Sequence, residues 1–406
     1  MGSRLQTRRR RARQIAAWVA TLAAILGAAG PAAVAGSRTA SLRPVGDSRD
    51  LDLDSVTAIH QDRRGFMWIG TREGLVMYDG YTAVRFEHDT TEGRSLADNV
   101  VRTIYEDRDG NLWLGTNSGG LDRFDRASGS FEHFRHDSSD PTSLSHDSVN
   151  TVLHDREGTL WVGTQIGLNR MDADSDRFER IGIGGLPGEL ANGYVYQLHE
   201  DRIGRLWVAT VGGGVFRKDP GSNSFVGYRH DSDDPGAAAF DKVFAIVEDR
   251  SGGLWLGTEG GLSRVDVEGG RLERIPPPPD GPLALPTPLI TSIVEAPDGT
   301  YWLGTWGGGV RRFDPRTYRF LEPPDPVTPG TDEARIVAMF VDRVGSVWVG
   351  TWNGDLYRAA ASPEGFAGLG ASSGLAEPDS TAILEAGDGG LWVGTWGGGL
   401  FHREPN

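Results

Sequence analysis

The sequence predicts an all-β chain, a single eight-bladed β-propeller of four-stranded antiparallel blades closed by an N-terminal strand. Three observations carry this reading. Tryptophan recurs at Trp68, Trp113, Trp161, Trp207, Trp255, Trp302, Trp348 and Trp392 with gaps of 44 to 48 residues, each inside a copy of one phrase: FMWIGT, NLWLGT, TLWVGT, RLWVAT, GLWLGT, TYWLGT, SVWVGT and GLWVGT. Around each copy, short runs of period-two alternation are separated by Gly/Asp turns, the pattern of antiparallel meanders. A four-stranded unit repeated at about 45 residues is the signature of a propeller blade.

Each unit divides into four strands. An apolar alternating run comes first, as in Val149–His154 or Val243–Glu248, and a turn written D-R-x-G or x-x-D-G follows, as at 155–158. The tryptophan strand is next, then a G-[LV]-x-x-x-D strand such as 120–125. An apolar or aromatic pair three residues apart marks the last strand: Phe131 with Phe134, Phe178 with Ile181, Phe225 with Tyr228. One such sheet cannot cover both of its faces, so neighbours must stack. The repeated residues therefore read as structural. Tryptophan fills the wedge between blades, glycine lets adjacent backbones approach, and the threonine hydroxyl bonds locally.

The last copy stops after its third strand, and residues 41–45 offer the missing fourth, with Leu42 and Val45 matching the three-apart pair. An N-terminal strand that completes the final blade removes two free edges. The alternative is a seven-bladed ring with one extra unit belonging to a truncated second ring. Pro276 to Pro279, with Pro282, Pro286 and Pro288, cannot donate ladder hydrogen bonds and read as a rim excursion.

Residues 1–35 read as a signal peptide and 36–406 as the propeller. Six arginines between Arg4 and Arg13 precede an apolar run, and Ala33-Val34-Ala35 supplies an A-x-A cleavage site. The expected location is periplasmic or secreted after cleavage, with anchoring by an uncleaved segment as the alternative. The formal charge of −15, with 41 basic against 56 acidic residues, argues against nucleic acid as a partner. The absence of cysteine excludes disulfides and thiolate zinc sites.

The phrase [SN]-V-x-x-I-x-x-D-x-x-G-x-[LM]-W-[ILV]-G-T-x-x-G-[LG] resembles the two-component regulator propeller repeat, matched most closely at 55–75 and 148–168. Departures are Ala209 for glycine in the fourth unit, Ala296-Pro297 in the sixth and Ala386-Gly387 in the eighth. The resemblance implies a periplasmic sensor propeller of the kind found in hybrid histidine kinases and related signalling proteins. Such proteins continue into an output domain, and none is recognisable before Asn406. The expectation is thus a sensor-type, ligand-recognising propeller without its own catalytic output, and not an enzyme.

Ligands of a propeller enter at the mouth of its channel, beside the hairpins that follow each Gly-Thr. The residue after threonine reads Arg72, Asn117, Gln165, Val211, Glu259, Trp306, Trp352 and Trp396, varied where the surrounding phrase is constant. Trp306, Trp352 and Trp396, from consecutive units, should lie side by side. They would stack on a sugar or other small ligand or, alternatively, pack between blades, with Arg72, Asn117, Gln165 and Glu259 as polar contacts. No cofactor is implied. Asp107-Arg108-Asp109-Gly110-Asn111 resembles a calcium-loop opening but reads as a hairpin turn, since the matching turns read DREGT, DRIGR and DRSGG and no acidic twelfth residue follows. His88, His136 and His230 echo the repeat and form no metal cluster. The partners expected are a carbohydrate or other small ligand and a membrane sensor kinase. A second reading is an envelope scaffold for protein–protein contact. A third, a propeller lyase or hydrolase, needs an acid/base pair or cation that no spacing reveals.

Overall fold

In a computed structural model, residues 41–44, 53, 55–79, 82–172, 175–181, 193–230, 240–277, 285, 288–321, 325–326, 334–359, 380–385, 391–395 and 399–403 are described. For 41–44, 325–326 and everything from 380 onward the description covers the backbone. The expected signal peptide, Val45, Trp396 and most of the proline-rich segment lie outside these residues.

Six sheets of four consecutive antiparallel strands span 56–86, 101–134, 149–181, 195–228, 243–275 and 290–321. A seventh combines Ile336–Val341, Val347–Thr351 and Leu356–Ala359 with Ser41–Pro44 as its fourth strand. The first strands of neighbouring blades touch in an unbroken circuit, which ends with Ile336–Val341 against Val56–Gln61. Val56, Met67, Ile69 and Val76 of the first blade share one buried cluster with Ala338, Trp348 and Leu356 of the seventh. The ring has seven blades.

The expected eight-bladed ring is corrected by this junction. The N-terminal strand does close the molecule, but it pairs antiparallel with the seventh unit: Leu42 faces Ala359, Arg43 faces Arg358 and Pro44 faces Tyr357. The eighth unit forms a separate three-stranded sheet of Ser380–Glu385, Leu391–Thr395 and Gly399–Arg403. Each blade interface is a nearest-neighbour contact that looks the same from inside any repeat. Copy number therefore counts sheets, while the angle between adjacent sheets decides how many close a circle.

Four repeated contacts hold the blades in register. Every ring tryptophan of the repeat is 5% exposed or less. In six blades its indole N–H donates to the aspartate six residues earlier, at 2.7–2.9 Å, from Trp68–Asp62 to Trp348–Asp342. The same carboxylate accepts turn amides; Asp107 takes those of Asp109 and Asn111, so the calcium-like loop is a hairpin turn whose acid is fully engaged. The glycine near the end of the tryptophan strand faces the next blade's first valine or isoleucine. A Cβ on Gly115 would stand 2.7 Å from Val149 Cγ1, and one on Gly350 would stand 2.3 Å from Val56 Cγ1. The ring thus shuts by the contact used at its other junctions.

The turns clip neighbouring blades as well. The guanidinium of the D-R arginine donates to a carbonyl in the next blade's turn: Arg63 to Arg108, Arg108 to Arg156, Arg156 to Arg202, Arg202 to Arg250, Arg250 to Pro297 and Arg343 back to Arg63. Pro297 in the sixth blade leaves one gap in this circuit. In return, a glutamate or glutamine ending the next first strand accepts the turn amide, as Glu200 accepts from Arg156 at 2.8 Å and Gln61 from Arg343 at 3.0 Å.

Candidate functional site

The opposite end of the channel is built by different residues. There the hairpins between second and third strands meet the chain entering each first strand. In six blades the backbone N–H after this threonine donates to the residue just before its own first strand: Asn117 to Val100, Gln165 to Ser148, Val211 to Tyr194, Glu259 to Lys242, Trp306 to Leu289 and Trp352 to Arg335, at 2.9–3.1 Å. These bonds pin the backbone of the variable position while leaving its side chain to the mouth.

A cavity of about 660 Å³ occupies the channel beneath this rim. Arg72, Asn117, Trp306 and Trp352 line it. Gln165 is exposed on the rim and outside the lining, and Glu259 stands at the rim paired with Lys242 at 2.5 Å. Trp306 and Trp352 do lie side by side, edge to face, with ring centroids 5.4 Å apart. Because the ring has seven blades, the neighbour beyond Trp352 is Arg72. Its guanidinium sits 4.9 Å over the Trp352 ring, and that of Arg335 sits 5.5 Å over Trp306. The mouth therefore carries an Arg–Trp–Trp–Arg ladder in which cations cover the indoles.

The deeper wall comes from a position that the hairpin comparison missed. In each first strand the residue after the buried valine or isoleucine turns to the channel: Thr57, Arg102, Asn150, Tyr196, Phe244, Thr291 and Val337. Period-two alternation along that strand was the available signal. Three of these side chains clip the next blade. Thr57 and Thr291 donate Oγ1 to Val101 O and Ile336 O, and Asn150 donates Nδ2 to Val195 O at 2.9 Å. Arg102 instead gathers residues from three blades. Its Nε and Nη2 donate to Asn117 Oδ1 at 3.0 and 2.5 Å, and its Nη1 to Asn150 Oδ1 at 2.5 Å and to Tyr194 Oη at 3.1 Å. Tyr194, Tyr196 and Phe244 continue the wall as edge-to-face pairs at 6.0 and 5.0 Å. Burial pushes the Tyr196 phenol up to about 12, so it stays a neutral hydroxyl.

Three of the repeat's histidines are held by the protein itself. His88 and His136 bond through Nδ1 to Leu96 O and Leu144 O, each at 2.7 Å, and His230 bonds to Asp241 at 3.2 Å. Among the described residues no group of three His, Asp or Glu side chains is placed to hold a metal.

Seven segments, 50–73, 95–118, 143–165, 189–212, 239–260, 284–307 and 374–397, match the family model described as two component regulator propeller. Seven of the chain's eight units are two-component regulator propeller repeats. The matched repeats are units one to six and eight. The seventh unit, which shuts the ring, is not among them, and the eighth matches while standing apart from it. Among solved structures, the extracellular domain of BT3049 from B. thetaiotaomicron, assigned as a hybrid two component system, is similar at TM-score 0.67 and 23% identity, over 90% of this chain and 48% of that one. The propeller repeat chain thus spans about half of that neighbour's length. A catalytically inactive virginiamycin B lyase from Staphylococcus aureus, solved with quinupristin, aligns at TM-score 0.60 and 14% identity over 79% and 98%. PorZ, a surface component of the type-IX secretion system of Porphyromonas gingivalis, aligns at 0.59 and 17% over 86% and 54%. At these identities the likeness is one of fold. No curated protein matches the chain.

Proposed function

We propose that the ring is the ligand-recognising part of an exported, sensor-type protein linked to two-component signalling, and that it takes a small polar ligand, such as a sugar, into the channel mouth. One observation carries this. The residues that repeat around the ring are engaged in blade-to-blade contacts, whereas those lining the 660 Å³ cavity differ from blade to blade. A constant scaffold with a varied concave wall is the arrangement of a recognition site. The wall offers asparagine, tyrosine, arginine and tryptophan, a set suited to hydrogen bonding and ring stacking rather than to proton transfer between paired carboxylates. Arg72, Asn117, Trp306 and Trp352 are the contacts we assign, with Gln165 and Glu259 on the rim. The basic and then apolar N-terminus supports export, and mature protein recovered from the envelope should begin at Gly36.

Calorimetric titration of a glycan panel tests the reading, with Trp306→Ala and Trp352→Ala measured singly for both binding and melting. Binding lost at nearly unchanged melting temperature supports ligand contact. Stability lost at unchanged binding assigns the indoles to packing. A ring that binds no small ligand but retains an envelope protein on affinity capture would favour the scaffold reading.

A further inference from the structure

The channel of this acidic protein is lined by cationic and neutral side chains. The formal charge is −15, yet the lining residues include Arg72 and Arg102 and, among the described residues, no aspartate or glutamate. Several other ring arginines meet acids. Arg126 pairs with Asp62 and Glu106 at 2.7 and 3.1 Å, Arg205 with Asp201 at 2.5 Å, and Arg312 with Asp298 at 3.0 Å. Among the described residues Arg102 has no such partner. It occupies the tier where Thr57, Asn150 and Thr291 bond a backbone carbonyl of the next blade, but its own bonds go to side chains, Asn150 of that next blade among them.

The way Arg102 is held explains what it is free to do. Of its five N–H groups, four are directed at Asn117 Oδ1, Asn150 Oδ1 and Tyr194 Oη, all uncharged acceptors. The fork is fixed in place, its charge is not neutralised, and one Nη2 proton remains. Tyr194 accepts from Arg102 and so keeps its own hydroxyl proton to donate. Asn117 uses its Oδ1 on Arg102, and its Nδ2 has no protein partner among the described residues. A half-buried cation held by neutral dipoles gains most from an anion that arrives desolvated beside it, because charge-assisted bonds exceed neutral ones. Arg72 and Arg335 at the mouth, resting on indole faces, add positive potential along the entry path. The net negative charge of the distant surface is screened within about 10 Å at ordinary salt.

Resting on the ligand-recognition reading, we infer that the channel takes an acidic sugar whose oxyanion is bound by Arg102, with Asn117 and Tyr194 supplying neutral donors. A carboxylate and a sulfate share this chemistry. The experiment is calorimetric titration of the full chain with three matched probes as monosaccharides and short oligomers: galactose, galacturonate and galactose 6-sulfate. The two acidic probes, or one of them, should bind at least about tenfold tighter than the neutral one, and the preferred arm identifies the anion. Binding should weaken with rising salt. Arg102→Met should reduce affinity by about ten- to a hundredfold. Asn117→Asp, nearly isosteric, places a carboxylate on the same guanidinium and should abolish the acidic preference even if Arg102→Met folds poorly. Equal binding of galactose and its acidic forms, or acidic binding unchanged in Asn117→Asp, overturns the inference while leaving ligand recognition standing. Failure of all three probes to bind overturns the inference. A neutral glycan from the wider panel that still binds would then keep the recognition reading alive, whereas silence across that panel removes both.

Discussion

At the D-R rim, six of seven blades place an aspartate under the tryptophan indole and six send an arginine to a carbonyl of the next blade. At the opposite rim the seven equivalent positions read Arg72, Asn117, Gln165, Val211, Glu259, Trp306 and Trp352. Both rims are hairpin ends of the same strands and share their backbone bonding. They differ in where the side chains go. At the first rim they satisfy buried partners, so substitution is felt as lost stability. At the second they face a cavity or solvent, so under the proposed function substitution should alter recognition more than stability. Repetition and burial mark the scaffold, and variation above a pinned backbone marks the proposed site.

The largest effect should come from the first rim. Trp207 is fully buried and donates to Asp201 at 2.8 Å, so Trp207→Ala should cost about 3–5 kcal/mol in equilibrium denaturation. A comparable loss in half-buried Trp306→Ala would break the comparison. Next comes Asp201→Ala, which leaves the indole and the Arg205 amide without their acceptor and should cost about 2–3 kcal/mol.

The same carboxylates set the acid limit. Burial alone would raise Asp62, Asp107, Asp201 and Asp249, but indole and amide bonds, joined by arginine at Asp62 and Asp201, by the Asn111 side chain at Asp107 and by the Ser251 hydroxyl at Asp249, outweigh it and hold each below its ordinary 3.8. A depressed folded value means that the stabilisation is full above 3.8 and is lost as pH falls through the folded values. Melting temperature should therefore drop steeply below about pH 4, and Asp201→Asn should shallow that drop.

A smaller effect lies at milder pH. Burial lowers His199 from 6.5 to about 4, so the unfolded chain binds its proton first and stability declines as pH falls from 6.5 towards 4. His199→Gln should flatten melting temperature across that window; an unchanged slope would assign the pH dependence to other groups. The smallest effect belongs to the recognition rim. Exposed Gln165→Ala should change stability by no more than about 0.5 kcal/mol, and a larger loss in thermal melting would mean that the varied rim is structural too.

Much of this was legible in the sequence. The tryptophan phrase located every second strand, and the Gly-Thr that follows located the mouth, because both are local consequences of strand pairing. The roles of Asp and Arg in the D-R turn were readable only as turn chemistry, since their partners lie six residues away on the next strand or in the next blade. Trp306 and Trp352 were correctly placed as neighbours, while Trp396 was set beside them on the assumption of eight blades and falls outside the described residues. Arg102 carries no hairpin signal, and only alternation along its first strand places it on the channel side.

What the sequence by itself determined is the blade: its strand order, its wedge tryptophan, its turns, and the presence of an early strand able to finish a late sheet. Each depends on contacts within one repeat, which recur whenever the repeat recurs. The tertiary structure alone decided that seven blades close, that the early strand completes the seventh, and that Arg102, Asn117, Asn150 and Tyr194 meet in the channel. Closure depends on an angle summed around the whole ring, and the cluster draws on three blades, so neither is a property of any single stretch of chain.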